Sequence, residues 1–505
     1  MTPAATRNIF WSGLEAAVAG GLSFASAFIV ARLIGPSEFG IGAAAVALHV
    51  MLWVGVNALF ADALVQRAEV DDAMAASAFW TSVAVGGLCA VVQAAAGWLV
   101  AASLHDSRLV AMSALLALPL PLIGAGGVIQ GLLTRRRAYR VLAGRAIIGQ
   151  GIGTAAGIAA AFGGAGAWAP VAQQFVTSAA GALALLLRAG WRPRAVWRWQ
   201  PVRALLHVGV PLTASTLVLA ARYRLFALLL GGTAGATALG ETHMAFRLVD
   251  TVRELCSTAL WRLMLPVLAE RQHDVVALRA AVDRLLAHSG TVILPVCGAM
   301  ALGLPTVVHR LLGPAWSASA LAAEPLIALM AVLMLMFPAG VAVVARGQTG
   351  RALAGNVACM AATLAGVAWL RPASAIQAVL VWCGAQVLVA PYSLWVNGRA
   401  VGTGPLRPLR NGLAMAGITL AGLAAALAMS WTTGSSVAGF WTAGLRTAGF
   451  WAAGFGAAGD PAGPVWARAA AFGAVVVTGL VLNGRLHGLA APWWRPVPIG
   501  DKPQQ

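Results

Sequence analysis

Runs of about twenty apolar residues, separated by short polar turns, repeat along nearly the whole chain. A helix of that length crosses the ~30 Å hydrocarbon core of a bilayer, and no other open structure satisfies its backbone there. The pattern predicts spans near 9–31, 40–61, 79–102, 109–131, 146–166, 168–187, 207–230, 238–258, 286–307, 319–345, 352–370, 375–396, 411–430 and 465–482. The predicted fold class is therefore all-α: a polytopic membrane protein of about fourteen transmembrane helices.

Two similar turns suggest an internal repeat. Residues 30–45, between spans 1 and 2, and residues 228–246, between spans 7 and 8, share a Leu-x-Gly opening and a Phe or Leu before a later Gly. Six spans separate them, so the two halves have the same orientation. Parallel six-helix repeats imply two lobes around a central cavity. The division expected is an N-lobe at 1–190, an inter-lobe linker at 191–206, a C-lobe at 207–400, spans 13 and 14 with a Gly/Trp-rich loop at 401–485, and a tail at 486–505. The near repeat Ala438–Gly444 and Ala448–Gly454, with its Phe-Trp pairs, suits an outer membrane interface.

Charge then orients the array. The chain carries a formal net charge of +18 with only 10% charged residues. A basic surface is one footprint of nucleic-acid binding, but these arginines lie in loops between apolar spans, so no nucleic-acid partner is expected. With the N-terminus inside, most of the 34 basic residues fall on the cytoplasmic side, notably Arg135, Arg136, Arg137, Arg140 and Arg145, then Arg188, Arg192, Arg194, Arg198 and Arg203. This bias predicts a multi-pass membrane protein with both termini cytoplasmic. No cleaved signal peptide is expected, because Glu15 interrupts the first apolar run. The five cysteines fall within spans without a CxxC pair, so neither a disulfide framework nor a metal site is predicted.

Charges inside spans are costly and point to function. His243, Arg247, Asp250 and Glu254 share one helical face, with Arg253 beside it. The face suits either an anion-binding cavity wall or a self-neutralising network. Arg222 and Arg224 on span 7 lie about 200° apart, so a regular helix does not aim both into one cavity; guanidinium forks suit pyrophosphate oxygens. In the first half the polar candidates are Glu15, His49, Asn57, Asp62, Gln173 and Gln174, His49 suiting a hydrogen-bonded packing role and the glutamines sugar hydroxyls or bonds between helices. Asp250, Glu254 and Glu15 are the carboxylates available for ion coupling. The only lysine is Lys502, so the chain has no Walker A loop. No HExxH or GxSxG motif is present. These features favour secondary transport or flipping over an enzyme, and no cofactor is expected.

Four segments in order carry a resemblance to a known family: Ala31-Arg32-Leu33-Ile34-Gly35-Pro36-Ser37-Glu38-Phe39-Gly40, Ala63-Leu64-Val65-Gln66-Arg67, Ala245-Phe246-Arg247-Leu248-Val249-Asp250 and Leu311-Leu312-Gly313-Pro314-Ala315-Trp316. With them the chain resembles the bacterial polysaccharide (Wzx-like) flippases of the multidrug/oligosaccharidyl-lipid/polysaccharide exporter superfamily, across roughly four-fifths of its length. The resemblance implies an alternating-access fold. It also implies a substrate, a polyprenyl-pyrophosphate-linked oligosaccharide moved to the periplasmic leaflet for exopolysaccharide or surface-polysaccharide assembly. Arg247 is the position it carries over for the pyrophosphate. Membrane lipids, a polysaccharide polymerase and export proteins are the partners implied. Arg222-Tyr223-Arg224 stands where relatives often place an acidic residue, which departs from a cation-coupling site. The alternatives are a multidrug/cation antiporter or lipid II flippase of the same superfamily, and, from another class, a membrane glycosyltransferase or polymerase.

Overall fold

The computed structural model describes residues 3–404. The spans predicted at 411–430 and 465–482, and the aromatic-rich loop between them, lie outside the described residues.

The described chain is helical. In order it forms α1 (Pro3–Ala58), α2 (Ala61–Gln66), α3 (Asp72–Leu104), α4 (Arg108–Ala117), α5 (Leu120–Arg135), α6 (Tyr139–Phe162), α7 (Trp168–Arg188), α8 (Trp199–Ala269), α9 (Val275–Leu311), a 3-10 turn (Pro314–Trp316), α10 (Ser317–Ala345), α11 (Thr349–Leu370) and α12 (Ala375–Val401). Ten segments among the described residues are long and apolar enough to cross a membrane. Large apolar side chains such as Trp98, Leu99, Leu187, Trp369 and Leu388 are exposed, as lipid-facing surfaces require. Among the described residues the buried polar side chains are uncharged or histidine, including Ser26, His49, Gln93 and Ser178.

Local chemistry sets the ends. Asp71 caps α3, accepting from the Met74 N–H at 2.7 Å. The predicted span 109–131 is built from two pieces, α4 and α5, because Pro119 has no N–H to continue the helix. α1 and α8 each contain two predicted spans, broken only where Gly35 (φ 76°, ψ 171°) and Gly235 (φ 82°, ψ 176°) leave the helical region. Positive φ of this kind is open to glycine and costly for other residues.

Packing divides the chain into two compact units. The first comprises Met1–Val252, Val307–Leu326 and Gly350–Ala390; the second comprises Arg253–Thr306, Ile327–Thr349 and Pro391–Gln505, so far as these are described. One core of the first unit joins α2, α3, α5, α7 and the start of α8 through Phe60, Leu64, Phe79, Ile129, Leu185 and Leu205. The segment between α7 and α8 lies on α3. Trp80 Nε1 donates to the Arg194 carbonyl at 2.9 Å, Trp197 Nε1 to Thr81 Oγ1 at 3.1 Å, and the Arg198 N–H to Ser77 Oγ at 3.0 Å. In the second unit, Met264, Leu268, Leu278, Val282 and Val341 form a core. There Arg346 donates to the Ala400 carbonyl at 2.8 Å and Arg279 donates to the Gly402 carbonyl, satisfying acceptors at the α12 C-terminus.

Candidate functional site

Within the first unit, α1, α5, α6 and α7 enclose a cavity of about 250 Å3. Small residues make room for it: Ala19, Gly126, Ala146, Gly149, Gly181 and Ala182 all border it. Its polar wall is Glu15 and Asn57 from α1, Arg145 and Gln150 from α6, and Gln174, Thr177 and Ser178 from α7. Arg145 Nη2 donates to Gln130 Oε1 at 2.7 Å, which fixes the guanidinium, and the Glu15 carboxylate acts on it through its charge. Gln174 Nε2 donates to Ser178 Oγ at 3.1 Å, and Ser178 Oγ is 3.2 Å from Nε2 of the fully buried His49. The wall thus offers a cation, a carboxylate and several amide and hydroxyl groups inside an apolar bundle. Such a set binds a phosphate-bearing sugar far better than lipid does.

Of the residues expected from sequence, this cavity gathers Glu15, Asn57 and Gln174. Gln173 turns the other way and donates to Ser26 Oγ at 2.8 Å, a bond between helices. Arg145 was read only as part of the topology-setting basic cluster. The sequence alone does not separate it from that cluster; what sets it apart is its place on the cavity wall.

The charged face of α8 forms a second group. Arg247 Nη2 donates to the Ser23 carbonyl at 2.5 Å and to Ser23 Oγ at 2.7 Å, across to α1. His243 Nδ1 lies 2.8 Å from the Tyr223 hydroxyl. Arg224, Arg247 and Asp250 all act electrostatically on Tyr223. Arg222 points elsewhere, as its angular separation from Arg224 requires: its guanidinium stacks 3.9 Å from the Trp382 ring centre. With the Gln386 amide turned so that both its ends are satisfied, its oxygen accepts from Arg222 at 3.0 and 3.1 Å. Trp382 belongs to an aromatic cluster with Tyr223, Phe226 and Phe246. Nothing local in the sequence announces the Arg222–Trp382 pair, because α8 and α12 meet only in the fold. Arg253 and Glu254 lie beyond the boundary of the first unit, at the start of the second. Replacing Arg247 by alanine removes two charge-assisted bonds to α1, worth about 1.5–3 kcal/mol each. Export per molecule by that variant is expected to fall about tenfold, read as polymer yield normalised to membrane abundance by immunoblot.

A third group joins the turns opposite the basic helix ends. The Gly35 and Gly235 breaks have nearly the same backbone angles, and the segments after them pack against each other. A Cβ at Gly40 would collide with the Ala236 carbonyl oxygen, and one at Gly240 with the Pro36 carbonyl oxygen. Phe39 packs on His243 and Trp316, with ring centres 5.7 and 5.5 Å away. Beside it Arg108 forks onto Glu38 at 2.8 and 3.0 Å and binds Asp106 at 2.8 Å, while Glu38 accepts from the Ala167 N–H at 2.7 Å. Arg108 holds the Asp106 carboxyl below the usual carboxylate range. The stabilisation is therefore present at neutral pH and lost as acid protonates Asp106 below its ordinary value. Arg108→Ala is expected to cost about 1 kcal/mol, since the pairs are partly exposed. Thermal unfolding in detergent at neutral pH measures it, and the difference from wild type should shrink at low pH.

This helical array, with its two glycine-broken helices, has the fold of solved membrane transport proteins. It matches the lipid II flippase MurJ in an inward closed conformation with a TM-score of 0.72 at 11% identity, over 95% of this chain and 99% of that one. An inward-facing multidrug resistance MATE family transporter of the MOP superfamily matches with a TM-score of 0.51 at 16% identity, over 78% and 95% of the two chains. The chain belongs to the polysaccharide biosynthesis protein family, whose profile matches residues 29–321. It is 26% identical over 271 residues to the succinoglycan biosynthesis transport protein ExoT of Rhizobium meliloti (strain 1021). That match covers 53% of this chain and 54% of ExoT, so the chain spans about half the length of this curated relative.

Proposed function

We propose that this protein flips polyprenyl-pyrophosphate-linked oligosaccharide repeat units from the cytoplasmic to the periplasmic leaflet of a bacterial inner membrane, for exopolysaccharide or surface-polysaccharide assembly. The observation that carries this reading is the cavity walled by Arg145, Glu15, Asn57, Gln150 and Gln174 in a bundle that is otherwise apolar. An oligosaccharide pyrophosphate cannot cross lipid without such a surface. Family membership and the name of the ExoT relative support the polysaccharide assignment over lipid II, to which the MurJ likeness extends only as fold.

In this reading Arg145 and Arg247 receive the pyrophosphate and Asn57 and Gln174 the sugars. The packed turns at Gly40 and Gly240 close the periplasmic side. Glu15 is the carboxylate best placed to couple an ion, being the one that lines the cavity. The protein acts by alternating access and not as an enzyme. The two lobes at 1–190 and 207–400 move relative to each other, and both termini are cytoplasmic.

Deleting the gene and probing lipid-linked repeat units on spheroplasts with a periplasm-only reagent tests the reading. Units trapped on the cytoplasmic side, with polymer lost, are expected. Units delivered normally to the outer leaflet in a strain without a second flippase would refute it and favour a multidrug or cation exporter.

A further inference from the structure

At the basic helix ends, a groove of about 810 Å3 lies between the end of α2 and the first turns of α8. It is separate from the cavity described above and shares no lining residue with it. One end is cationic, with Arg67, Arg203 and His207; the other is apolar, with Val208, Val210 and Pro211. The gradient follows the helix. Gln200, Arg203 and His207 recur at helical spacing on one face of α8, and Val210 and Pro211 continue it toward the span interior. Polar groups therefore stand where the helix emerges and apolar groups where it enters the bilayer.

Two further observations fix the depth and the geometry. Trp197 and Trp199 lie just before the cationic stretch of α8 in the chain and are 57% and 54% exposed, as indole rings at the headgroup level are. Arg67 is held in place from both sides. Its Nη2 donates to the Ala204 carbonyl at 3.1 Å, and its own carbonyl accepts from Arg135, which also bonds Ala68. Among the described residues the Arg67 side chain makes no other hydrogen bond, and a guanidinium has five N–H groups. Arg203 and His207 are exposed.

We infer that this groove is a binding site for an acidic phospholipid, with its phosphate on Arg67, Arg203 and His207 and an acyl chain along Val208, Val210 and Pro211. The charge matches the phosphate, and the apolar half matches a chain that a free anion lacks. The inference stands independently of what the cavity among α1, α5, α6 and α7 carries.

Native mass spectrometry of the purified full-length protein in detergent tests it, with phosphatidylglycerol, phosphatidylcholine, a polyprenyl phosphate and inorganic phosphate as separate probes. Wild type should retain phosphatidylglycerol over phosphatidylcholine. Arg203→Gln, at an exposed side chain, should lower that retention about fivefold, and Arg67→Gln/Arg203→Gln about thirtyfold. Arg192→Gln, at an exposed arginine outside the groove, should change nothing. Melting temperatures check that Arg67→Gln, which loses the bond to Ala204, is still folded; if it is not, the Arg203→Gln result decides alone. Equal retention of both phospholipids, retention unchanged in Arg203→Gln, or displacement of phosphatidylglycerol by inorganic phosphate alone would overturn the assignment. Preferential, Arg203-dependent capture of the polyprenyl phosphate would also overturn it, by giving the groove to a substrate-like lipid.

Discussion

Arg145→Ala is expected to reduce export at least thirtyfold and to destabilise the protein as well. The two effects have different causes. Arg145 sits inside α6, bonded to Gln130 and facing the Glu15 charge. Removing the guanidinium takes away its bond to Gln130 and the charge that offsets Glu15, at a cost of about 1–2 kcal/mol. Removing both restores part of that loss, because no lone charge remains. The double variant Arg145→Ala/Glu15→Ala should therefore melt above Arg145→Ala, though below wild type because the Gln130 bond is lost, and still fail to export, since the cation for the pyrophosphate is gone. Export by the double variant at the wild-type rate would show that Arg145 serves only to neutralise Glu15. Thermal unfolding and polymer yield, measured on the same three proteins, separate these roles.

The second large effect is expected at the paired turns. Gly40 and Gly240 approach backbone carbonyls of the opposite turn, and a carbonyl cannot swing aside as a side chain does. Gly240→Ala should cost about 1–3 kcal/mol through overpacking. It should also hold the two turns apart, so that export falls more steeply than stability. Because Gly40 and Gly240 share one contact, Gly40→Ala and Gly240→Ala should not add. Once one methyl has separated the turns, the second meets less resistance, and the double variant should cost less than the sum. Strict additivity in thermal unfolding would mean that the turns are not in contact in the membrane.

Much of the fold was legible because membrane helices announce themselves by length and apolarity alone. The likeness of the two turns was legible too: those at 30–45 and 228–246, weakly alike as sequence, share their backbone break and pack together. Pro119 divides a predicted span in two, a break invisible to hydropathy but legible in the proline itself, which has no N–H to continue the helix. The site was read less completely. The charged face of α8 stood out, since periodicity places His243, Arg247 and Asp250 together whatever surrounds them. Arg145 did not, because it follows an arginine cluster whose topological role explains it equally well. Arg222 illustrates the limit. Its angle from Arg224 followed from helical geometry, but Trp382 and Gln386 come to it from α12, and no local pattern encodes that meeting.

The measurement that tests the central claim most directly is reconstitution. Purified protein in liposomes, supplied with the host's lipid-linked repeat unit in both leaflets, should equalise access of an external glycan-modifying reagent, converting protection of about half the units into full modification. Arg145→Ala/Glu15→Ala liposomes should keep the protected half. Persistent protection with the wild-type protein, in vesicles where its folding is verified, would contradict the account.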